Sequence, residues 1–396
     1  MISVADALAR ILAMMTPTGL ETVPLAEAAG RVLADPSRAR RTQPPFASSA
    51  MDGYAVRAAE ATPGATLRLV GASVAGNRFD GALGPGETVR IFTGAPLPEG
   101  ADAVLIQEDA EAEGEAVRPT DAPAPGAHIR KAGVDFAAGT VVAAPRRLGP
   151  ADVALLAAMN VAEVVVRRRP RVALLPTGDE LVWPGETPGP DQIVTSNNFG
   201  LAALLAAAGA APDLRPIAHD RRGALAEALA EAAAEADLVV TLGGASVGEH
   251  DLVREAVGAA SLDFWKVAVR PGKPLMAGRI GGVPMIGLPG NPVSAMVCGL
   301  LFARPAVDAL LGLPAASPPR ERATLTEPLA PNGPREHYMR GVCERGPDGA
   351  LRARALPDQD SSLLSVLAEA DCLIARPIGD PARAAGDPVE IIRLRD

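Results

Sequence analysis

From Arg171 to Leu311 the chain alternates short apolar runs with stretches of helical composition, and this rhythm restricts the fold more than any other feature. RVALLPTGDEL reads as a buried strand with a polar end, NFGLAALLAAAGA as a helix, RPIAHD as a strand, RGALAEALAEAAAEA as a helix and ADLVVTLGG as another strand. DLVREAVGAA, LDFWKVAV, PLMAG, VPMIGLPG and NPVSAMVCGLLFARPAVDALL complete the series. Such alternation predicts a three-layer α/β sandwich on a mainly parallel sheet. Ligands bind beyond the carboxyl ends of strands in these sheets, and the polar motifs fall at such ends.

The chemistry of those ends is that of an anion site. Gly243, Gly244, Ser246 and Gly248 allow a loop whose backbone N–H groups converge on one point, and Asp251 opens the next helix as a cap or a ligand. Gly290, Asn291 and Pro292 read as a capped helix start with proline at the first position, leaving free amides for a phosphate or carboxylate. Thr177, Gly178, Asp179 and Glu180 set two carboxylates on one loop, a sparse acidic set of the kind Mg²⁺ takes together with water and phosphate. Only three of the 38 basic residues are lysines, and two of them, Lys266 and Lys273, flank Arg270. Compact ammonium groups beside a forked guanidinium suit an oxyanion, although a solvated strand end would read the same way.

The regions on either side have a different rhythm. VADALARILAMM spaces its apolar residues as one helix face, and VPLAEAAGRVLA reads as a second helix ending near a glycine. Pro44 and Pro45 exclude a helix from TQPPFASSAMDGYAVR, so Asp52 lies on a loop that feeds a strand. Short runs such as TLRLVGASV, ETVRIFTG, AVLIQEDA and GTVVAA then recur between Pro and Gly, the mark of a β-rich domain. Thr93 ends one of these strands in a tight turn, and Arg130, Lys131 and Asp135 form a mixed-charge loop. After the proline-rich LPAASPP, short strands return and predict a small C-terminal β-barrel or sheet.

Several function classes are excluded on composition. A net charge of −9 disfavours general nucleic-acid binding, which needs a broad basic face. No export signal is read at MISVADALARIL and no membrane span is expected. Cys298, Cys343 and Cys372 are far apart with no CxxC pair, which argues against a disulfide framework or a cysteine metal site and for a cytoplasmic setting.

PPFASSAMDGYAVR, RIFTGAPLPEGADAVLIQE, LLPTGDEL, TLGGASVGEHD, FWKVAVRPGKP and GLPGNPVSA together resemble the signature segments of the molybdopterin molybdenumtransferase family, the MoeA proteins and the gephyrin E domain. The resemblance covers nearly the whole chain. It implies four domains: residues 1–26 with 141–168 as a discontinuous helical and linker domain, 27–140 as the β-rich domain, 169–315 as the α/β molybdopterin-binding domain and 320–396 as the C-terminal β domain. The implied reaction is that of adenylylated molybdopterin with molybdate and Mg²⁺, giving molybdenum cofactor and AMP. A homodimer is implied, with molybdopterin adenylyltransferase as a possible partner. Carried over by position, Asp52, Thr93, Asp135, Glu180 and Asp251 are implied catalytic residues, and Glu180, Asp220 and Asp251 the metal-binding carboxylates. Lys266, Arg270 and Lys273 match the family's basic positions, Pro289 and Pro292 its pocket floor, and Arg335 and Ser361 its molybdate-site contributions from the last domain. A catalytically silent scaffold of the same fold and a molybdopterin adenylyltransferase are the alternatives; the long flanking domains speak against the latter.

Overall fold

A computed structural model describes residues 1–219, 221–243, 252–257 and 261–395, with the side chains of Arg222, Leu252 and Arg254 left aside. The chain divides into two compact units, one comprising Met1–Glu21, Gly30–Ala34 and Val166–Asp396, the other Thr22–Ala29 and Asp35–Val165.

The first unit is built on a six-stranded sheet in the order Ala211–Leu214, Arg171–Pro176, Leu238–Leu242, Val283–Leu288, Met276–Ile280, Leu262–Phe264. The first four strands run parallel, and the last two join antiparallel, so the sheet is mixed at one side. Both faces are covered, as a continuous apolar run requires. Val172, Leu174, Val240, Leu242, Ile286 and Leu288 point to one face, where they pack with Leu201, Leu205, Val293 and Leu301. Their neighbours Ala173, Leu175, Val239 and Met285 point to the other, against Leu225, Leu229 and Val253. This period of two puts helices on each side and makes the predicted three layers.

Besides Asn197–Ala207, which supplies Leu201 and Leu205, two more helices pack into the core on the first of those faces. Val4–Met14 is capped by Ser3, whose hydroxyl accepts the Asp6 amide at 3.0 Å, and it buries Val4, Ala7, Leu8 and Ile11 in the same core. Pro292–Leu310 is long and apolar enough by composition to cross a membrane, but 78% of it is buried within the protein, so core packing accounts for its apolarity. Its middle, Gly299–Ala303, widens to a π-helical turn. A side chain at Gly299 would collide with Leu201, so glycine there permits the close helix approach.

The C-terminal region closes into a barrel of five strands: Glu336–Arg345, Leu351–Ala355, Glu321–Leu325, Pro388–Arg393 and Cys372–Arg376, the last pairing back onto the first. Ala323, Leu325, Ala353, Ile374 and Ile391 fill it. A sixth, short strand, Val269–Arg270, leaves the α/β region and runs parallel to Glu336 and His337.

The second unit contains a six-stranded sheet in the order Ala103–Ile106, Gly53–Val56, Glu87–Ile91, Leu67–Ser73, Ala116–Pro119, Ala110–Glu113, with the helix Pro150–Ala158 outside it. Asp152 accepts the Gly149 amide at 2.9 Å and fixes the start of that helix.

Two expected elements differ. VPLAEAAGRVLA is not a helix: Leu20–Pro24 and Val32–Leu33 are strands, and only Leu25–Glu27 makes a single 3₁₀ turn. Pro24 and Gly30, the latter at φ +74°, leave too few residues between them to recover the cost of helix nucleation. Among the described residues of RPIAHD, 215–219, no regular strand forms; the strand lies earlier, at Ala211–Leu214. Arg215 still donates its amide to Leu174 at 3.0 Å, but Pro216 has no N–H to continue the ladder, and only Ala218 bridges back to Thr177.

Candidate functional site

Three parallel strands end side by side in the first unit, because Pro176 pairs with Leu242 and Leu242 with Leu288. Their turns therefore meet. The Thr177 amide donates to Leu242 O at 3.0 Å and the Gly243 amide to Leu288 O at 3.2 Å. Gly243 sits at φ +100°, and a Cβ there would lie 2.6 Å from Thr177 O, so both conformation and space demand glycine. A Cβ on Gly290 would lie 3.5 Å from Gly243 Cα. The three turns thus form one continuous backbone edge.

The acidic loop rises from the first turn. The exposed Glu180 carboxylate folds back over Gly178, and Asp179 Oδ1 lies 2.9 Å from His219 Nδ1. Asp220, Gly244, Ser246, Gly248 and Asp251 lie outside the described residues, so only Gly243 of the expected anion loop is part of the edge described here.

The C-terminal barrel contributes to the same edge. Asn291 does not cap the helix it precedes; its amide nitrogen donates to Ser361 Oγ at 2.7 Å instead. The Val293 amide donates to Ser361 O at 3.1 Å, and Asn197 Nδ2 holds Gly290 O at 2.6 Å. Ser361 lies in the loop ahead of the helix Leu364–Glu369, which begins after Leu363. Pro289 is buried and Pro292 half-buried beside this contact.

The basic residues fall in two groups. Lys266 and Lys273 bracket a turn closed by the Val267 amide donating to Lys273 O at 3.1 Å, and Lys266 Nζ stands 3.6 Å from the Trp265 ring centroid. Arg270 pairs through its strand with His337. His337 is held down at about 4, first by burial and then by Arg270, Arg335, Arg340 and Arg376, so it is neutral at neutral pH and the local positive charge resides on guanidinium groups.

Sequence reasoning passed over Arg340 and Gln359. Arg340 is 1% exposed, and its guanidinium donates to Asp360 O at 2.8 Å and Asp358 O at 3.0 Å. Gln359 closes the clamp, accepting the Arg340 amide at 2.9 Å and donating to Arg340 O at 3.0 Å. Together they shape the loop that presents Ser361. In sequence Arg340 resembles any strand-edge charge; only its place in the apolar-rich run HYMRGVC hinted at burial.

In the second unit, Asp52 and Thr93 meet directly. Asp52 Oδ1 accepts the Thr93 amide at 2.7 Å and its hydroxyl at 2.8 Å, and these two donors lower the carboxyl from its ordinary value. The loops are tied by Gly94 N to Ser49 O at 2.9 Å and by Ala50 N to His128 O at 2.8 Å, while Ser48 pairs with Arg130. Asp135 is exposed on the third loop, its amide bonded to Gln43 O at 3.1 Å. Asp52, Thr93 and Asp135 therefore belong to three loops knitted together.

Known proteins share this organisation. Residues 2–160 match the family model of the MoeA N-terminal region (domain I and II), residues 173–309 that of a probable molybdopterin binding domain, and residues 322–394 that of the MoeA C-terminal region (domain IV). Molybdopterin molybdenumtransferase 2 of Mycobacterium tuberculosis is 39% identical over 364 residues, covering 86% of this chain and 90% of that one. The molybdopterin molybdenumtransferase of a Nostoc species is 36% identical over 387 residues, covering 94% and 88%. The crystal structure of the molybdopterin biosynthesis moeA protein from Pyrococcus horikoshii superposes with a TM-score of 0.85 at 27% identity, over 99% of this chain and 100% of that one.

Proposed function

The chain belongs to the molybdopterin molybdenumtransferase family, and from that premise we propose that it transfers molybdenum from molybdate onto the dithiolene of adenylylated molybdopterin, with release of AMP. The observation that carries this reading is the seating of Ser361 against Asn291 at the edge formed by Gly243 and Gly290, with Arg270 and Arg335 both near His337. Backbone amides at such an edge suit phosphate oxygens, and guanidinium groups with a hydroxyl suit a tetrahedral dianion such as molybdate.

Replacement of one molybdate oxo group by the two dithiolene sulfurs releases that oxygen as water together with the two thiol protons. Arg270, Arg335, Lys266 and Lys273 offset the charge of molybdate and phosphate while Ser361 orients the oxyanion. Water attack on the phosphoanhydride then yields AMP and leaves the phosphate on the pterin. Glu180 offers hard, exposed carboxylate oxygens of the type Mg²⁺ prefers, and with Asp220 and Asp251 it would hold that ion. Bound there, Mg²⁺ would supply charge neutralisation at the phosphoanhydride. We further propose a homodimer in the cytoplasm, with molybdopterin adenylyltransferase as supplier of the adenylylated substrate.

The test is AMP release from adenylylated molybdopterin by purified protein, with and without molybdate. Release is expected to require molybdate and to fall about 100-fold in Glu180→Gln, the scale for losing one preorganised electrostatic contact. Release independent of molybdate would overturn the reaction, and a wild-type rate in the variant would overturn the role of Glu180.

A further inference from the structure

The C-terminal barrel holds a second cluster of ligating side chains, at the far end of the strand Glu336–Arg345 that also carries His337 and Arg340, and at the start of the strand Cys372–Arg376. Sequence spacing argued against a cysteine metal site, because Cys343 and Cys372 are 29 residues apart. Strand pairing removes that separation. Gly341 lies opposite Cys372 where the first and last strands of the barrel close on each other, which brings Cys343, two residues further along, onto the same side. Cys372 is fully buried and Cys343 half-buried against the barrel core. Asp371 precedes Cys372, and the sulfurs of both cysteines and a carboxylate oxygen of Asp371 all lie within 4.8 Å of one another.

The third ligand is held by its surroundings. Asp371 donates its amide to Gly341 O at 3.1 Å, its carbonyl accepts the Leu394 amide at 2.8 Å, and its Oδ1 accepts the Cys343 amide at 2.7 Å. The same carboxylate also accepts hydrogen bonds from the Cys343 and Cys372 thiols, contacts that a bound cation would replace. Next to the cluster is a cavity of about 220 Å³ that Cys343 and Asp371 help to line, together with Glu344, Arg352 and Arg354. That space admits a water as fourth ligand.

We propose that Cys343, Cys372 and Asp371 form a three-ligand site for a thiolate-preferring divalent cation of the Zn²⁺ class, its fourth position filled by water from the cavity. Two sulfurs and one oxygen in a tetrahedral set are a Zn²⁺ pattern, and ligand atoms around such an ion stand about 3.7 Å apart at ordinary Zn–S distances. The ligand atoms lie within 4.8 Å of one another, so closing to this spacing needs at most about 1 Å, within the reach of a change in the Cys343 rotamer. Two thiolates and a carboxylate outweigh a divalent cation by one negative charge. Arg352, Arg354 and Arg393 nearby suit that balance, although Arg352 and Arg393 are also paired with Asp348 and Glu321. Burial raises both thiols above their ordinary values, so binding must displace their protons and is expected to strengthen with pH. A carboxylate as third member distinguishes the cluster from a simple redox pair. The ion would tie together the two strands that close the barrel.

Purified protein equilibrated with Zn²⁺ and then desalted should retain about one zinc per chain by elemental analysis, and Co²⁺ in its place should give thiolate-to-metal charge-transfer absorption. Cys343→Ser should retain none, and Asp371→Asn should bind on the order of tenfold or more weakly, the loss seen when even an outer ligand partner is removed. A readout on the wild type does not depend on variants folding: Zn²⁺ should shield Cys343 and Cys372 from alkylation in mild denaturant while leaving the rate at Cys298 unchanged. Absence of stoichiometric zinc, full retention by folded Cys343→Ser, or no shielding of the two thiols would overturn the site. So would recovery of the pair as a disulfide that Zn²⁺ does not prevent, which would make it a redox couple instead.

Discussion

His337 shows how a single residue records its surroundings. Buried among Arg270, Arg335, Arg340 and Arg376, it is held near 4 in the folded chain against an ordinary 6.5. Between those values the unfolded chain binds the proton and the folded chain does not, so stability rises with pH across the window. The contribution is fully present above pH 6.5 and is lost as pH falls through 6.5 toward 4. Its upper limit is about 3 kcal/mol, from a shift of about 2.5 units at 1.36 kcal/mol each. Urea midpoints measured across this window should decline steeply with acid in the wild type and less steeply in His337→Gln. Parallel declines would mean that other groups carry the acid sensitivity. For function, a neutral imidazole leaves the arginines as the charges that an oxyanion meets.

At the scale of elements, the loop from Asp358 to Ser362 is set by Arg340 and Gln359 rather than by its own sequence. Arg340→Lys keeps a charge but cannot fork onto two carbonyls, so Ser361 should lose its fixed seat against Asn291. Arg340 touches no substrate in this scheme and acts as a positioning residue. The expected outcome is a higher KM for molybdate, by about tenfold for one weakened oxyanion contact, with kcat much less affected. An equal fall in kcat with unchanged KM would contradict it, and a melting curve distinguishes either result from unfolding. The same loop marks where sequence reading stops. Arg171–Pro176 and Leu238–Leu242 are legible as buried strands because their apolar runs are unbroken and bounded by polar turns. VPLAEAAGRVLA misleads because its composition favours helix while Pro24 and Gly30 cut it too short. Asn291 and Ser361 are 70 residues apart, and nothing local in either segment encodes their hydrogen bond. Arg340 escapes notice for a related reason: its guanidinium donates to the backbone carbonyls of Asp358 and Asp360, and a backbone acceptor has no residue type that a sequence could reveal.

At the scale of the whole molecule, the implied catalytic residues divide between the two compact units. Glu180 and, by its place in the chain, Asp251 belong to one, and Asp52, Thr93 and Asp135 to the other. Asp52 is fixed by Thr93 as a lowered, ionised carboxylate, which both ties the two loops together and leaves a negative charge in a fixed position. The family reading assigns these groups to one reaction, and the proposed homodimer supplies a way to unite them: each copy's Asp52 would serve the other copy's Glu180 loop. Complementation tests this directly. Asp52→Asn and Glu180→Gln should each be nearly inactive alone. Refolded or co-expressed together, they should recover about one quarter of wild-type AMP release, since half of randomly formed twofold dimers are mixed and each mixed dimer keeps one intact site of two. The double variant in one chain, mixed with itself, should recover nothing. Activity of the mixture no greater than the sum of the single variants, with mixed dimers verified by tagged pull-down, would place Asp52 and Glu180 in the same copy's site or in separate roles.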